Sequence, residues 1–187
     1  MKLVIIGANG KIGSRIAEEA ISRGHAVTGI SRNPEGGIKN KKIRWIQADV
    51  LDTVAFTTAI AGQDALVSAF GIDWRNPDTY RLFSDVAISI IKAARKAGVK
   101  RIVNVGGAGS LEVAPGVQLV NTASFPEMWR QGADHQRKSL EIFRADKDLD
   151  WTFFSPAIMI EPGPKTGRFR LGKDNPVFDE YIVSIST

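Results

Sequence analysis

Residues Met1 to Gly13 constrain the fold more tightly than any other stretch of this chain. Leu3 to Ile6 is a continuous apolar run, long enough for a buried parallel strand and too short for a helix. Glycines follow at positions 7, 10 and 13. The first lets the chain turn sharply off the strand, and the second removes a Cβ where a phosphate must reach the backbone. The third lets the next helix lie close on the sheet. That helix is predicted over residues 11–23: Ile12, Ile16, Ala17, Ala20 and Ile21 share one face, and Gly24 stands where a left-handed residue ends it. Free N–H groups at a helix N-terminus beside a glycine-rich turn form an anion site. Strand, turn, helix and second strand in this order point to a dinucleotide pyrophosphate, with Gly7, Asn9, Gly10, Lys11 and Ile12 as its cradle. Three glycines taken alone also read as a tight connection without a ligand.

At 187 residues and 43% hydrophobic content, the chain is long enough for one well-buried core and too short for two comfortable domains. A single domain, 1–187, is expected, with a cofactor part at 1–110 and a substrate lid and cap at 111–187. There is no cysteine, which excludes disulfides, a thiolate nucleophile and sulfur-ligated zinc; no metal site is expected. No stretch approaches the ~20 apolar residues of a membrane span, so a soluble, cytoplasmic protein without a membrane partner is expected. Lys and Arg number 25 against 20 Asp and Glu, a net +5. A solvated basic surface explains this and also suits a phosphorylated cofactor. No basic stripe is interleaved with aromatics, and no nucleic-acid partner is expected.

The second strand is predicted at His25 to Ile30, and Ser31-Arg32-Asn33-Pro34 leaves it. An acidic residue here would accept hydrogen bonds from both ribose hydroxyls, whereas a hydroxyl and a guanidinium suit a 2′-phosphate. Ser31 and Arg32 therefore favour NADP(H) over NAD(H), although Arg32 also reads as a solvated loop residue. Glu35 to Lys42 is rich in Gly and Lys and is expected to be a mobile surface loop. A third strand over Ile43 to Gln47 ends in Ala48-Asp49-Val50, where Asp49 reads as a cap for the helix beginning near Asp52. After a helix at 53–61 comes a fourth strand at 64–69. The small residues around Ala69-Phe70-Gly71 give room for the nicotinamide ribose. Loop 72–79 carries Trp74, at the sheet edge where substrate walls form. A helix at 80–97, a fifth strand at 101–105 and Gly106-Gly107-Ala108-Gly109-Ser110 follow. Leu111 to Glu127 reads as an irregular lid, Met128 to Ala145 as a helix, and Trp151 to Pro156 as the sixth strand and its exit. Gly167 to Leu171 and Tyr181 to Ile185 read as short strands of a C-terminal cap. Alternating strands and helices make this an α/β chain: a Rossmann-type, doubly wound parallel sheet with helices on both faces.

Gly7-Ala8-Asn9-Gly10-x-Ile12-Gly13, Ser31-Arg32-Asn33-Pro34, Ala48-Asp49-Val50, Val105 to Leu111 and Asp150 to Pro156 together resemble the atypical short-chain dehydrogenases/reductases. Within that group the chain is most similar to NAD(P)H-flavin reductases and biliverdin-IXβ reductase, sharing Asp134-His135-x-Arg137 with the latter. The resemblance implies Asp49 and Val50 as adenine contacts, and Val105, Gly106 and Pro156 as further cofactor contacts. It also exposes a departure. Classical members use a Tyr-x-x-x-Lys pair with a preceding serine, and here those positions fall at about Ala133, Arg137 and Gly106-Gly107. Only Tyr80 and Tyr181 are tyrosines, and neither has a lysine four residues on. Ser110 and His135 remain as proton relays.

A substrate that takes hydride on an electron-poor ring nitrogen or conjugated carbon, with its proton from water, needs no phenol. The leading expectation is an NADPH-dependent reductase for a flat acceptor such as flavin or quinone, with Phe70, Trp74 and Trp129 as candidate aromatic walls, each of which also reads as core packing. A non-catalytic NAD(P)(H) sensor of the NmrA-like kind is the rival. An NAD-dependent epimerase/dehydratase is a third reading, weakened by the missing tyrosine. Monomer and homodimer are both open. Chains of the resembled group continue past a segment like Ser184-Ile185-Ser186 into another helix, so a shortened C-terminus is expected.

Overall fold

The structure, a computed structural model, describes residues 1–34, 40–161 and 163–177. Six strands form one parallel sheet: β1 (Lys2–Ile6), β2 (Ala26–Ser31), β3 (Ile43–Gln47), β4 (Ala65–Ser68), β5 (Arg101–Val105) and β8 (Asp150–Phe154). Their order is β3-β2-β1-β4-β5-β8. The sheet turns back on itself at β1, which pairs with β2 on one side (Val4 with Thr28) and β4 on the other (Ile5 with Val67). In such a sheet the crevice at the carboxyl end of the strands, where the winding reverses, is the place for a ligand.

Val4 and Ile5 at the centre of β1 are completely buried, one towards each face, because parallel strands are covered on both sides. Helix α1 (Lys11–Ser22) covers one face, its Ala17 and Ala20 packing with Ile5 and Val27. On the opposite face α2 (Thr53–Ile60), α3 (Leu82–Ala97) and α4 (Glu127–Ala145) lay Phe56, Ile90 and Phe143 over Val4, Leu66 and Ile102. The expected doubly wound α/β architecture is the observed one. The α1 face is covered unevenly, and Phe154 of β8 remains 38% exposed there.

Helix ends follow local chemistry. Asp52 accepts the N–H groups of Val54 and Ala55, both at 3.1 Å, and starts α2. The cap is thus Asp52 and not Asp49, whose carboxylate accepts only the Leu51 N–H at 2.9 Å. Asp146 closes α4 by accepting the N–H groups of Asp148 and Leu149, and Arg95 near the end of α3 pairs with it at 2.8 Å. Two helices that bracket the cleft are thereby locked together at their far ends.

Two expectations change. Residues 111–127 are not irregular: β6 (Glu112–Ala114) and β7 (Val117–Gln118) form an antiparallel hairpin about Pro115-Gly116. Gly116 has φ 71°, the left-handed conformation that a Pro-Gly turn requires of its second residue. Gly167 to Leu171 forms no strand; Phe169 and Leu171 are 75% and 73% exposed, so no packed face holds the segment to a sheet. Instead of a stranded cap, the chain beyond β8 runs as an extended strap, with Lys165 paired to Glu19 of α1 and the Asp174 carbonyl accepting the Glu112 N–H at 2.7 Å. Residues 35–39 of the expected mobile loop and the expected strand at 181–185 lie outside the described residues.

Phe143 is completely buried and touches both Trp151 and Phe153 of β8, with ring centroids 5.9 and 6.1 Å away. Phe143→Ala is expected to lower unfolding stability by about 3–5 kcal/mol, measured by urea denaturation, because a cavity replaces the ring that fastens α4 to the sheet.

Candidate functional site

The β1–α1 turn lies at the reversal of the sheet, and its backbone leaves no room for side chains. Gly7 has φ 74°, and a Cβ on it would stand 2.4 Å from the Ala69 carbonyl oxygen at the end of β4. A Cβ on Gly13 would stand 2.1 Å from the Gly7 carbonyl oxygen. Gly10 differs. Its N–H donates to the Gly7 carbonyl at 2.8 Å, and a Cβ there would approach only that carbonyl, at 3.1 Å. Gly10 is also the N-cap of α1 and supplies no capping side chain, so the first-turn N–H groups of the helix are left for a ligand. An uncapped helix start with a bare backbone fits a pyrophosphate group.

At the exits of β2 and β3 the polar residues form a connected turn. Asn9 Nδ2 donates to Ser31 Oγ at 3.1 Å and to the Asn33 carbonyl at 3.3 Å, which ties the glycine turn to the end of β2. The Ser31 hydroxyl itself donates to the Asn33 carbonyl and accepts the Asn33 N–H, at 3.0 and 3.1 Å. Ser31 therefore shapes the turn. The exposed guanidinium of Arg32 makes no hydrogen bond or ion pair with the described residues, while its carbonyl is held by Gln47 Nε2 at 3.1 Å. Asp49 is exposed with one carboxylate oxygen uncommitted, and Val50 lies in the core with its carbonyl taken by the Ser89 hydroxyl.

From this turn a cleft of about 1080 Å³ extends along the strand ends towards α4. Gly7, Gly10, Lys11, Ile12, Ala69, Phe70, Gly71, Val105, Gly106 and Pro156 of the expected cofactor set line it, together with Trp74 and Trp129. Asn9, Ser31, Arg32, Asp49 and Val50 stand outside that lining, at the β2–β3 end. Trp74 and Trp129 are 41% and 43% exposed, so neither serves as a core residue. Trp74 is fixed by contact with Phe83 at 5.9 Å between ring centroids and by the Tyr80 hydroxyl, which donates to its carbonyl at 2.9 Å. The wall at 124–126 is fastened by Arg130, which donates to the Phe125 carbonyl at 2.9 Å and lies over its ring. Ala157, Ile158, Met159 and Ile160 of the strap close the remaining side.

The two expected proton relays do not line this cleft. Ser110 is buried, donates to the Gly107 carbonyl at 3.0 Å, and pairs with the Ser155 hydroxyl at 3.1 Å beside a separate cavity of about 100 Å³. His135 is turned about 100° from Gln136 around α4, its ring 6.2 Å from that of Tyr80. The turn after β5 directs the Ser110 hydroxyl away from the cleft, and helical spacing explains His135: Trp129, Ala133 and Gln136 recur at i, i+4 and i+7 on the cleft face, and His135 falls off it. Asp134 and Arg137 pair with each other at 2.8 Å, and Lys138 joins them at 2.8 Å. Burial pushes the Asp134 carboxyl upward, but the hydrogen bonds from Lys138 and Arg137 outweigh it and hold the group below the usual carboxylate range. These charges are committed to one another. Lys11 is the sole ionisable side chain in the lining formed by the described residues. Gln136 and Ser124 escaped the sequence reading, yet Gln136 follows from Trp129 by seven residues along one helix.

The sequence profile of the NAD(P)H-binding family matches residues 7–186. A solved structure from Burkholderia pseudomallei, provisionally named an exported protein, is 45% identical, with a TM-score of 0.89 over 100% of this chain and 87% of that one. A provisionally named epimerase from Bacteroides thetaiotaomicron is 39% identical, with a TM-score of 0.85 over 99% of this chain and 84% of that one. A provisionally named NADH-flavin reductase from Streptococcus pneumoniae is 36% identical, with a TM-score of 0.87 over 100% and 87%. No helix among the described residues is long and apolar enough to cross a membrane.

Two glycine variants separate folding from binding. Gly7→Ala is expected to cost about 1–3 kcal/mol of stability, because it strains a left-handed residue against the Ala69 carbonyl. Gly10→Ala is expected to unfold within about 0.5 kcal/mol of the parent, since its Cβ meets little, yet to bind dinucleotide about tenfold more weakly in a fluorescence titration.

Proposed function

The chain belongs to the NAD(P)H-binding family, and from that premise we propose that it is an NADPH-dependent reductase delivering hydride to a flat, conjugated acceptor such as a flavin or quinone. The observation that carries this reading is the acceptor half of the cleft: Trp74, Phe125 and Trp129 stand around a space whose lining, among the described residues, contains no carboxyl, imidazole or phenol. A carbonyl or sugar substrate needs a proton donor at the oxygen that accumulates charge. A ring nitrogen or conjugated carbon takes hydride into a delocalised system, and water supplies the proton.

The cofactor, when bound, supplies the hydride. The chain's own residues bind, orient and exclude water. The α1 N-terminus and Gly10 would hold the pyrophosphate, and Asn9 keeps the turn against the end of β2. The small residues Ala69 and Gly71 would let a nicotinamide ring lie close over the strand ends. Trp74 and Trp129 flank an acceptor ring so that its reacting atom stays in line with the hydride, and Ile158 to Ile160 keep bulk water from the pair. The uncommitted guanidinium of Arg32 supports NADPH over NADH, since a 2′-phosphate takes charge-assisted hydrogen bonds from such a group.

The lack of a proton donor also favours a second reading, a non-catalytic NAD(P)(H) sensor. The same lining argues against an epimerase, whose chemistry passes protons at carbon. Oxidation of NADPH and NADH with riboflavin, FMN, menadione and biliverdin, beside a fluorescence titration of NADPH, decides between reductase and sensor. Turnover of a flat acceptor is expected; tight NADPH binding with no turnover of any of the four would overturn the reductase and leave the sensor. Arg32→Ala is expected to weaken NADPH binding about tenfold and leave NADH binding within twofold, read in the same titration.

A further inference from the structure

Gln136 is the feature of the acceptor half that its apolar lining does not explain. It lies on the cleft face of α4, one turn beyond Ala133 and two beyond Trp129. Its amide reaches the end of β5: a Cβ on Gly107 would stand 2.1 Å from Gln136 Oε1. The glycine thus leaves the space that the carboxamide fills. The Gln136 side chain makes no hydrogen bond with any described residue, so its carbonyl and its NH₂ are both available in a wall of apolar groups. The other polar side chain of that wall, Ser124, is already paired with the Thr122 hydroxyl at 3.2 Å. A primary amide with both functions free matches a group that offers a carbonyl beside an N–H, with which it forms two hydrogen bonds in one plane.

Resting on the reductase reading, we infer that Gln136 is the specificity-determining residue for the acceptor and reads the imide or lactam edge of its ring. A flavin-like isoalloxazine carries such an edge, whereas a simple quinone offers carbonyls alone. Among the described residues no cationic side chain lines the acceptor half, so a phosphate on the acceptor is expected to add nothing there and riboflavin to serve as well as FMN. Gln136 itself moves no proton. It fixes the ring in its plane between the tryptophans, and the hydride and a proton from water complete the two-electron reduction.

The test compares riboflavin, 3-methylriboflavin, whose imide nitrogen cannot donate, and menadione, in steady-state assays with the unmodified protein and with Gln136→Leu and Gln136→Glu. The parent is expected to show KM for 3-methylriboflavin at least threefold above that for riboflavin. Gln136→Leu is expected to raise KM for riboflavin about tenfold, as two hydrogen bonds of ordinary strength are lost, and Gln136→Glu at least about threefold, because its carboxylate still accepts the imide N–H but has no donor for the ring carbonyl and repels it. Their kcat and their Kd for NADPH should stay within twofold, a split that a general disturbance of α4 would not give. Equal KM values for the two flavins in the parent, or an unchanged riboflavin KM in Gln136→Leu, would overturn the inference while leaving the reductase standing. A raised Kd for NADPH in both variants would overturn it by assigning the amide to the cofactor. No turnover of any acceptor by the parent would remove the reductase reading and this inference with it. The comparison of riboflavin with its methyl derivative needs no variant, so it decides even if a substitution prevents folding.

Discussion

The close approach of three backbone segments at the β1–α1 turn is the constraint on which the rest of this molecule depends. Gly7, Gly13 and the Ala69 carbonyl lie so near one another that a methyl group at either glycine would meet a carbonyl oxygen at 2.4 Å or less. That contact seats α1 on the sheet at the point where the winding reverses, and it aims an uncapped helix start into the crevice. Backbone N–H groups supply the recognition there, so the site depends on the absence of side chains.

The acceptor end is built by a different rule. There, large side chains are held in place by their neighbours: Tyr80 and Phe83 fix Trp74, and Arg130 fastens the turn that carries Phe125. The glycines at the end of β5 make space at this end too. A Cβ on Gly106 would lie 1.8 Å from the Phe153 ring and one on Gly107 would meet Gln136, so both positions admit side chains arriving from elsewhere. The result is a cleft with a glycine-built end whose bare backbone suits an anion and an aromatic end whose described residues carry no charge. Orientation and exclusion of water, more than acid–base groups, are what such a cleft can contribute to a reaction.

Much of this was legible in the residues. The glycine spacing, the apolar runs and the helix stripes each report a short-range requirement, and they placed the six strands and four helices to within a residue or two. The lining residues from Gly7 to Gly71 were found for the same reason, because strand ends in a parallel sheet converge on one edge. Other positions depended on rotation about a helix axis or on distant partners. His135 and Gln136 are adjacent in sequence, yet one meets Tyr80 and the other enters the cleft, a difference of about 100° around α4. Ser110 follows a strand end closely enough to look catalytic, but its short turn directs the hydroxyl to Gly107 and Ser155. The Pro115-Gly116 hairpin carried a readable signal that composition alone obscured.

The sequence by itself determined the strand-turn-helix that opens the chain, the winding of the sheet and the lack of a tyrosine–lysine pair. Each of these rests on residues close together in the chain or on which residue types are present at all. Only the tertiary structure decided which polar groups are spent and which are free. Ser31, Asp134 and Arg137 are consumed by partners within the fold, whereas the carboxamide of Gln136 is left open. Hydrogen bonds are settled by distances of about 3 Å in space, and a linear sequence carries no such distance between α4 and the end of β5.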